Sequence, residues 1–233
     1  MQGTHDATKK SEAAADGRHL VLISIHGLVR GQELELGRDA DTGGQIKYVV
    51  ELARALGNTP GVARVDLLTR RVVDPAVDPL YAEAEEELGG CARICRIDAG
   101  PEGYIPKEQL WDHLDAFVDN AIDYIRSQER QPDLIHSHYA DAGYVGSRLA
   151  GLLGVPLVHT GHSLGRVKRR RLLASGLSKE DVEARYNMAR RIEAEEQTLA
   201  SADVVITSTH QEIEEQYGLY DHYQPDKMQV IPP

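Results

Sequence analysis

The chain has 233 residues and a formal net charge of −11, with 41% hydrophobic and 27% charged residues. This length and composition predict a globular protein with a sizeable core. The negative charge disfavours nucleic acid and anionic membrane as partners, and no apolar run reaches the ~20 residues that a membrane span needs. No signal peptide is predicted. An anionic substrate therefore requires a local basic cluster.

The beginning of the chain is polar and rich in alanine, which predicts a disordered tail over residues 1–17. The two cysteines are Cys91 and Cys95. On a strand, residues with this spacing lie about 13 Å apart, too far for a disulfide. We therefore predict two free, buried thiols, which fit a reducing cytoplasm.

Short β-branched runs alternate with longer amphipathic helical patterns along the rest of the chain. The predicted strands are His19–Ile25, Val62–Thr69, Ala92–Ile97, Asp133–Ser137, Val155–Thr160, Val204–Ser208 and Met228–Ile231. The predicted helices are Thr42–Leu56, Pro106–Arg126, Asp141–Leu153, Ser178–Ala200 and Gln211–Tyr217. Repeated strand–helix units predict one α/β domain over residues 18–233, with a doubly wound, mostly parallel, Rossmann-like sheet and right-handed crossovers.

In such a sheet, ligands bind beyond the carboxyl ends of the strands. The loops predicted at that edge are His26–Asp41, Arg70–Tyr81, Asp98–Lys107, His138–Gly143 and Gly161–Leu177. Most of the chemically notable residues lie in these loops. The sequence therefore predicts a single site along one edge of the sheet.

A pair of glycines, Gly43 and Gly44, opens the first predicted helix. Glycine within a helix costs roughly 1 kcal/mol relative to alanine, so two in succession need a reason. Their open amides suit a phosphate or a sugar diphosphate. Thr42 and Gln45 also have the spacing of a capping box, which leaves Gln45 either a cap or a ligand-binding residue. No G-x-G-x-x-G or P-loop pattern occurs, which disfavours nicotinamide and ATP.

Two histidines, His136 and His138, stand at the end of a predicted strand. They lack an obvious third and fourth ligand, so no metal site is predicted. One imidazole is expected to pack in the core, while His138 or Tyr139 faces the cleft. Asp141 follows at the start of the next helix, where a carboxylate is typical of an N-cap.

The pair His162-Ser163 follows the fifth predicted strand, without the G-x-S-x-G elbow of a hydrolase. We interpret this stretch as a hydrogen-bonding loop for ligands rich in hydroxyl groups. The basic residues beyond it are Arg166, Lys168, Arg169, Arg170, Arg171, Arg185, Arg190 and Arg191. Such a run is commonly a solvated face, but in an acidic protein it is also a candidate phosphate clamp.

Several longer stretches share a family pattern. They are residues 26–31 (HGLVRG), 36–56 (LGRD through Leu56), 104–111 (YIPKEQLW), 138–143 (HYADAG), 160–166 with Lys168, 190–193 (RRIE) and 206–209 (ITST). In this order they resemble the N-terminal half of the sucrose-phosphate synthases, from about residue 19 to the last residue. That family consists of retaining glycosyltransferases with the two-domain B-type fold.

The resemblance implies that this domain binds the acceptor, fructose 6-phosphate, and that a second Rossmann-like domain binds UDP-glucose or ADP-glucose. It implies transfer of glucose with retention, giving sucrose 6-phosphate, with no cofactor, metal or protein nucleophile. His162 would be the catalytic residue facing the transferred glucosyl group, and Gly43 and Gly44 would face the donor diphosphate. The acceptor-binding residues implied are Gln45, Lys107, Tyr139, Ser163, Lys168, and Arg190 or Arg191.

The chain departs from the family pattern mainly at its end, because it stops at Pro233 where the family continues into the donor domain. His210 also stands where an arginine is common. We therefore expect acceptor binding without turnover, unless a donor domain is supplied in cis or as a separate chain. Two alternatives stay open. One is a sucrose synthase, which uses free fructose and needs no cluster of Lys107, Lys168 and Arg191; the other is a stand-alone module that binds sugar phosphate.

Overall fold

The computed structural model of the chain describes residues 17–232. The expected disordered tail, residues 1–17, lies outside the described residues except for Gly17. The described strands are β1 (Arg18–Ile23), β2 (Val62–Arg70), β3 (Glu85–Gly89), β4 (Ala92–Ile97), β5 (Leu134–His138), β6 (Leu157–Thr160), β7 (Val204–Thr207) and β8 (Met228–Val230). They form one sheet of eight strands in the order β3-β4-β2-β1-β5-β6-β7-β8.

Helices connect most of these strands. The α-helices are α1 (Gly44–Gly57), α2 (Leu114–Ser127), α3 (Ala140–Leu153), α4 (Gly165–Ala174), α5 (Lys179–Tyr186) and α6 (Met188–Ser201). Shorter helical turns cover Pro79–Ala82, Lys107–His113, Glu212–Gln216, Tyr217–Leu219 and Pro225–Lys227. None of the described helices is both long and apolar enough to cross a membrane.

The sheet reverses its direction of growth between β1 and β5. The chain builds outward from β1 through β2 to β4, then returns to place β5 against the free side of β1. Among the described strands only β3 is antiparallel to its neighbour. This confirms the predicted α/β, doubly wound, mostly parallel sheet. Its switch point, where ligands bind in such folds, lies at the carboxyl ends of β1 and β5.

Side chains alternate between two cores because successive residues of a strand face opposite sides of the sheet. Leu22 packs with Ile46, Val49 and other apolar residues of α1 on one face. Its neighbour Val21 packs on the other face, with Phe117 of α2 and with residues of α3. Both faces of the central strands are therefore covered, as a parallel sheet requires.

The structure differs from the sequence-based predictions in four segments. Strand β3 was not predicted, because its sequence is dominated by glutamates at the sheet's edge. The predicted loop Gly161–Leu177 contains α4. This helix was not predicted because its run of cations lacks the apolar periodicity of an amphipathic helix. The predicted helix Ser178–Ala200 is two helices, broken at Asn187, which has a left-handed φ of 47°. The predicted helix Pro106–Arg126 begins instead as a 3₁₀ segment.

Two smaller expectations are also corrected. The predicted helix Gln211–Tyr217 is a single wide turn that continues into a 3₁₀ turn. Cys91 and Cys95 are both free thiols, as expected, but only Cys95 is buried, while Cys91 is partly exposed. Burial raises the pKa of Cys95 to about 12, so this thiol stays protonated at neutral pH.

Candidate functional site

A cleft of 410 Å³ opens at the carboxyl ends of β1, β5 and β6. We call it the switch-point cleft. It is lined by His26, Ala40, Asp41, Gly43, Gly44, Gln45, Lys107, Tyr139, His162, Ser163, Lys168 and Arg191. The structure therefore brings together every site residue that the family resemblance implies except Arg190.

No contact within the described structure requires a glycine at either of the two positions that begin α1, Gly43 and Gly44. A Cβ atom added to Gly43 or Gly44 would meet nothing within 4 Å, and neither residue has a left-handed φ. The first turn of α1 contains no acidic residue, and no side chain caps it. The first amides of a helix lack intrahelical partners and favour negative charge. This end of α1 is thus open to an external anion.

Gln45 spans the switch point instead of capping α1. Its amide nitrogen, Nε2, donates to Ser24 Oγ and to the carbonyl of His138, both at 3.3 Å. Thr42 Oγ1 accepts a hydrogen bond from the Leu28 amide at 3.2 Å and makes no cap. The capping-box interpretation was therefore wrong. Gln45 thus lines the cleft while its amide nitrogen is held at the carboxyl ends of β1 and β5.

Lys107 is held by a buried carboxylate that the sequence analysis did not single out. Its Nζ contacts Asp41 Oδ1, and its amide donates to Asp41 Oδ2 at 2.8 Å. Burial pushes the pKa of Asp41 upward, but hydrogen bonds from Lys107 outweigh it and leave this pKa below its ordinary value. Burial likewise opposes the charge on Lys107, whose pKa Asp41 nonetheless raises. The pair is ionised and largely self-compensating.

Arg191 is also paired, with Glu195 one turn later on α6. Its Nε lies 3.0 Å from Glu195 Oε1, its Nη2 donates to the Ser163 carbonyl at 2.7 Å, and its guanidinium lies over the Tyr139 ring at 4.6 Å. Glu195 also accepts the Gly165 amide at 3.0 Å. Burial raises the pKa of Glu195 despite these partners. Arg191 thus fixes the loop that carries Ser163.

Lys168 differs from both because it belongs to none of the ion pairs between residues 17 and 232. Its Nζ lies 4.5 Å from the centre of the Tyr186 ring. Burial, together with the nearby charges of Arg191 and Lys107, lowers the pKa of Lys168. Lys168 is consequently the cation of the cleft that has no ion-pair partner among the described residues.

Arg190, the remaining candidate, lies outside the cleft. Its guanidinium pairs with Asp112 and donates to the Trp111 carbonyl at 2.9 Å. Both partners belong to the 3₁₀ segment that begins at Lys107. The side chain of Asn187 holds the same segment by donating to the Glu108 carbonyl at 2.7 Å. Arg190 therefore braces the segment that carries Lys107.

Four histidines, His136, His138, His159 and His162, cluster at the ends of β5 and β6, and His162 also lines the cleft. His138 Nδ1 and His162 Nε2 lie 3.0 Å apart, and the rings of His136 and His138 lie 4.1 Å apart. Burial lowers the pKa of His136 and of His159 to about 3, and that of His162 to about 4. All are neutral at pH 7. Among the described residues, no group of three or more His, Cys, Asp or Glu has an arrangement that could hold a metal ion.

Two residues of the cleft have unusual backbone conformations. Tyr139 has φ 80° and ψ 172°, a region that is essentially confined to glycine, and His162 has φ 57°. Such conformations cost about 1–3 kcal/mol each and cluster at functional sites. Tyr139 is the N-cap of α3, so the N-cap interpretation of Asp141 was wrong. The Asp141 carboxylate instead accepts from His26 Nδ1 at 2.7 Å.

The sequence analysis assigned no role to Asp41, Glu195 or His26. Asp41 and His26 lie within motifs that were noted, but nothing in the sequence indicated which distant residue each would contact. The ion pair of Arg191 and Glu195 did leave a signal, because residues four apart share one face of a helix.

The sequence of this chain is similar to those of known proteins. Residues 43–233 match the glycosyl transferase 4-like domain family. The chain belongs to that family. It is 53% identical over 227 residues to sucrose-phosphate synthase 4 of Arabidopsis thaliana, and 52% identical over 234 residues to a probable sucrose-phosphate synthase of Solanum tuberosum. These alignments cover 88% and 89% of this chain but 22% of each relative.

A solved structure supports the same placement. Sucrose-phosphate synthase from Thermosynechococcus elongatus matches with a TM-score of 0.71 and 31% sequence identity, over 92% of this chain and 48% of that one. These findings confirm the resemblance to sucrose-phosphate synthases. They also confirm that the fold is that of the N-terminal half of a B-type glycosyltransferase. The chain spans about a fifth of the length of the plant relatives.

Proposed function

We propose that this chain is the acceptor-binding half of a sucrose-phosphate synthase. In this proposal glucose passes from UDP-glucose, or ADP-glucose, to fructose 6-phosphate with retention, and sucrose 6-phosphate is formed. One observation carries the proposal: Lys168, a cation without an ion-pair partner in the described chain, lies beside Lys107 and Arg191 in the switch-point cleft. The similarity to sucrose-phosphate synthases supports the identity of the reaction.

Charge balance in the cleft supports a phosphorylated acceptor. The whole chain is acidic, so a phosphate must be held by local positive charge. Asp41 pairs with Lys107 and Glu195 pairs with Arg191, which leaves Lys168, without an ion pair of its own among the described residues, as the cation available to a phosphate. Lys168 would therefore be the main ligand of the acceptor phosphate. The hydroxyl groups of the sugar would contact Gln45, Tyr139 and Ser163.

The donor would occupy the opposite side of the same cleft. The open amides of Gly43 and Gly44 suit the donor diphosphate, held from the other side by a donor domain in cis or in a separate chain. His162 is neutral, so it would hydrogen-bond the transferred glucosyl group rather than stabilise charge electrostatically. The carboxylates of Asp41 and Asp141 are already engaged, by Lys107 and His26. This supports a transfer without a protein nucleophile, in which a donor phosphate oxygen helps to remove the acceptor proton; the proposal includes no metal and no cofactor.

We place this activity in the cytoplasm, with no nucleic acid or membrane partner. The two free thiols support a reducing compartment. The formal charge of −11 supports the exclusion of polyanionic partners.

Calorimetric titration of one lysine variant and one arginine variant tests the acceptor proposal. Lys168→Ala should weaken fructose 6-phosphate binding by about 10- to 100-fold, the range for loss of a charge-assisted hydrogen bond. Binding of free fructose should change little. Arg169→Ala, which removes the neighbouring cation outside the cleft, is the matched control. An equal loss in both variants would show that only the general field matters, and would contradict the proposal.

A reconstitution assay distinguishes an enzyme half from a binding module. The chain is mixed with a separately expressed donor domain, UDP-glucose and fructose 6-phosphate, and sucrose 6-phosphate is measured. Product is expected only when both parts are present. Binding of fructose 6-phosphate without product, in a covalently joined two-domain protein, would favour a sugar-phosphate module. Faster use of free fructose would favour a sucrose synthase.

A further inference from the structure

One ring nitrogen of His162 is engaged inside the protein. This atom, Nε2, lies 3.0 Å from Nδ1 of His138, whose side chain is fully buried. The other ring nitrogen of His162, Nδ1, makes no hydrogen bond with any residue between 17 and 232. The His162 side chain is only partly buried, and it lines the switch-point cleft. Nδ1 is therefore the ring nitrogen of His162 that is available to a ligand.

Packing against other rings holds the two imidazoles in this relation. The Tyr48 ring lies edge-on to both, with its centre 5.1 Å from that of His162 and 5.9 Å from that of His138. The ring of His136 also lies 4.1 Å from that of His138. His138 is thus enclosed by rings, and its contact with His162 is part of the packed structure.

A hydrogen bond between two ring nitrogens requires one of them to carry the shared proton. Burial lowers the pKa of His138, and it lowers that of His162 to about 4, so each ring is neutral and carries one proton at pH 7. Two arrangements are then possible. In the first, His138 Nδ1–H donates to His162 Nε2. In the second, His162 Nε2–H donates to His138 Nδ1.

The far nitrogen of His138 distinguishes these arrangements. His138 Nε2 is buried and has no hydrogen-bond partner among the described residues. The neighbouring histidines do have hydroxyl partners, since His136 contacts Thr160 Oγ1 and His159 contacts Ser137 Oγ, both at 2.9 Å. In the second arrangement, His138 Nε2 would be a buried N–H without an acceptor, which folded proteins rarely contain. In the first, the same atom carries only an unused lone pair, so the first arrangement is favoured.

We infer that His138 is a positioning residue, which fixes His162 as the Nδ1–H tautomer and thereby makes it a hydrogen-bond donor to the ligand in the cleft. Such a donor suits an oxygen atom of the transferred sugar. Because Nδ1 then has no free lone pair, His162 cannot take the proton of the acceptor hydroxyl at this atom. The catalytic consequence rests on the function proposed above, whereas the tautomer itself does not depend on it.

Nitrogen-15 NMR of the full chain, with labelled histidine side chains, tests the tautomer directly. Protonated and unprotonated ring nitrogens have different shifts and different couplings to the ring protons, and His162→Ala identifies the signals of that ring. At pH 7 we expect Nδ1 to be protonated and Nε2 unprotonated in both His138 and His162. A proton on Nε2 of His162, or equal amounts of the two forms, would overturn the inference.

Variants of His138 test whether this residue sets the tautomer. His138→Leu removes the donor, so the Nε2–H form of His162 should appear, whereas the amide of His138→Asn can still donate and should keep the Nδ1–H form. His136→Leu is the matched control, because it removes a buried imidazole that makes no hydrogen bond to His162. An unchanged tautomer in His138→Leu, or the same change in both leucine variants, would overturn the inference. If His138→Leu does not fold, an Nε2–H form in His138→Asn would overturn it instead.

Activity of the chain reconstituted with a donor domain tests the catalytic consequence. His138→Leu should lower kcat by about tenfold, the effect of one lost hydrogen bond, and should leave the KM for fructose 6-phosphate within about twofold of the wild type. In the His162→Ala background, His138→Leu should cause no further loss, because it acts through His162. A full further loss would overturn the positioning role. If the wild-type assembly forms no product, the proposed function fails, while the NMR spectrum still decides the tautomer.

Discussion

At the scale of single residues, Gly44 separates the requirements of folding from those of binding. A side chain fits there without contact, so the Gly44→Ala variant should be more stable by up to about 1 kcal/mol, through helix propensity and lower unfolded-state entropy. The same methyl group would lie where a donor diphosphate approaches the helix amides. Use of UDP-glucose by the two-domain assembly should therefore weaken.

The matched control for this variant is Gly151→Ala. Gly151 also lies in a helix with nothing within 4 Å of an added Cβ, but it is exposed and far from the cleft in sequence and fold. Urea unfolding should show a gain in stability for both variants, and only Gly44→Ala should raise the apparent KM for UDP-glucose. Unchanged kinetics in Gly44→Ala would show that no ligand approaches this helix end.

The buried ion pair of Arg191 and Glu195 gives the second prediction at this scale. Glu195→Gln leaves the guanidinium buried without its counter-charge, so the free energy of unfolding should fall by about 3–5 kcal/mol. Glu193→Gln, an exposed change on the same helix, should alter stability by less than about 0.5 kcal/mol. Denaturant unfolding of both variants measures the difference. Similar stability of the two would show that Arg191 remains solvated.

At the scale of elements, apolar periodicity predicted those strands and helices whose buried apolar residues recur at regular intervals. The strands and helices with apolar stripes, such as β5 and α1, lie close to their predicted bounds. Helix α4 and strand β3 were missed because charged residues occupy half or more of their positions. The break at Asn187 was missed for another reason, since a single residue with left-handed φ leaves the apolar pattern on either side intact.

Asn187 also links an element to the site, because its side chain holds the segment that carries Lys107. Asn187→Gly keeps the left-handed backbone but removes the hydrogen bond to the Glu108 carbonyl. We expect it to weaken fructose 6-phosphate binding several-fold with little change in stability. Asn187→Ala should show the same loss of binding and a further destabilisation of about 1–2 kcal/mol from the left-handed conformation. Unchanged affinity in both would mean that this tether does not position Lys107.

At the scale of the whole molecule, the buried histidines predict how stability depends on pH. Their pKa values in the folded chain lie at about 3 to 4, against 6.5 for an unperturbed histidine. Between these values the unfolded chain binds more protons than the folded chain. Stability should therefore be complete above about pH 6.5 and fall as the pH drops towards 4, by up to about 1.4 kcal/mol per pH unit for each such group.

Urea unfolding between pH 7 and pH 4.5 measures this slope. His159→Gln should flatten it by removing one of the groups, whereas replacement of the exposed His210 by Gln should leave it unchanged. Asp66 and Asp41 have lowered pKa values and lose their contribution only below about pH 4. Burial raises the pKa of Glu195, but this residue is present in the wild type and in both variants, so its contribution to the slope cancels in the comparison. Parallel slopes for His159→Gln and the wild type would contradict the assignment of buried, neutral imidazoles.

The candidate site was predictable as a set of residues but not as a charge distribution. Loops at one edge of a parallel sheet converge, so Gly43, Lys107, His162 and Lys168 were expected to meet. Which cation stays uncompensated depends on contacts between residues far apart in sequence, such as Lys107 with Asp41. No local pattern specifies those contacts. Sequence reasoning therefore treated Lys107, Lys168 and Arg191 as equivalent, whereas in the fold only Lys168 of these three has no ion-pair partner among the described residues.

The central claim is that the switch-point cleft recognises a phosphorylated sugar, and calorimetric titration of the wild-type chain tests it most directly. Fructose 6-phosphate and free fructose are titrated under identical salt and pH. We predict that fructose 6-phosphate binds at least about tenfold more tightly, because Lys168 gains a charge-assisted contact with its phosphate. Equal affinity for the two sugars, or no binding of either, would contradict the account.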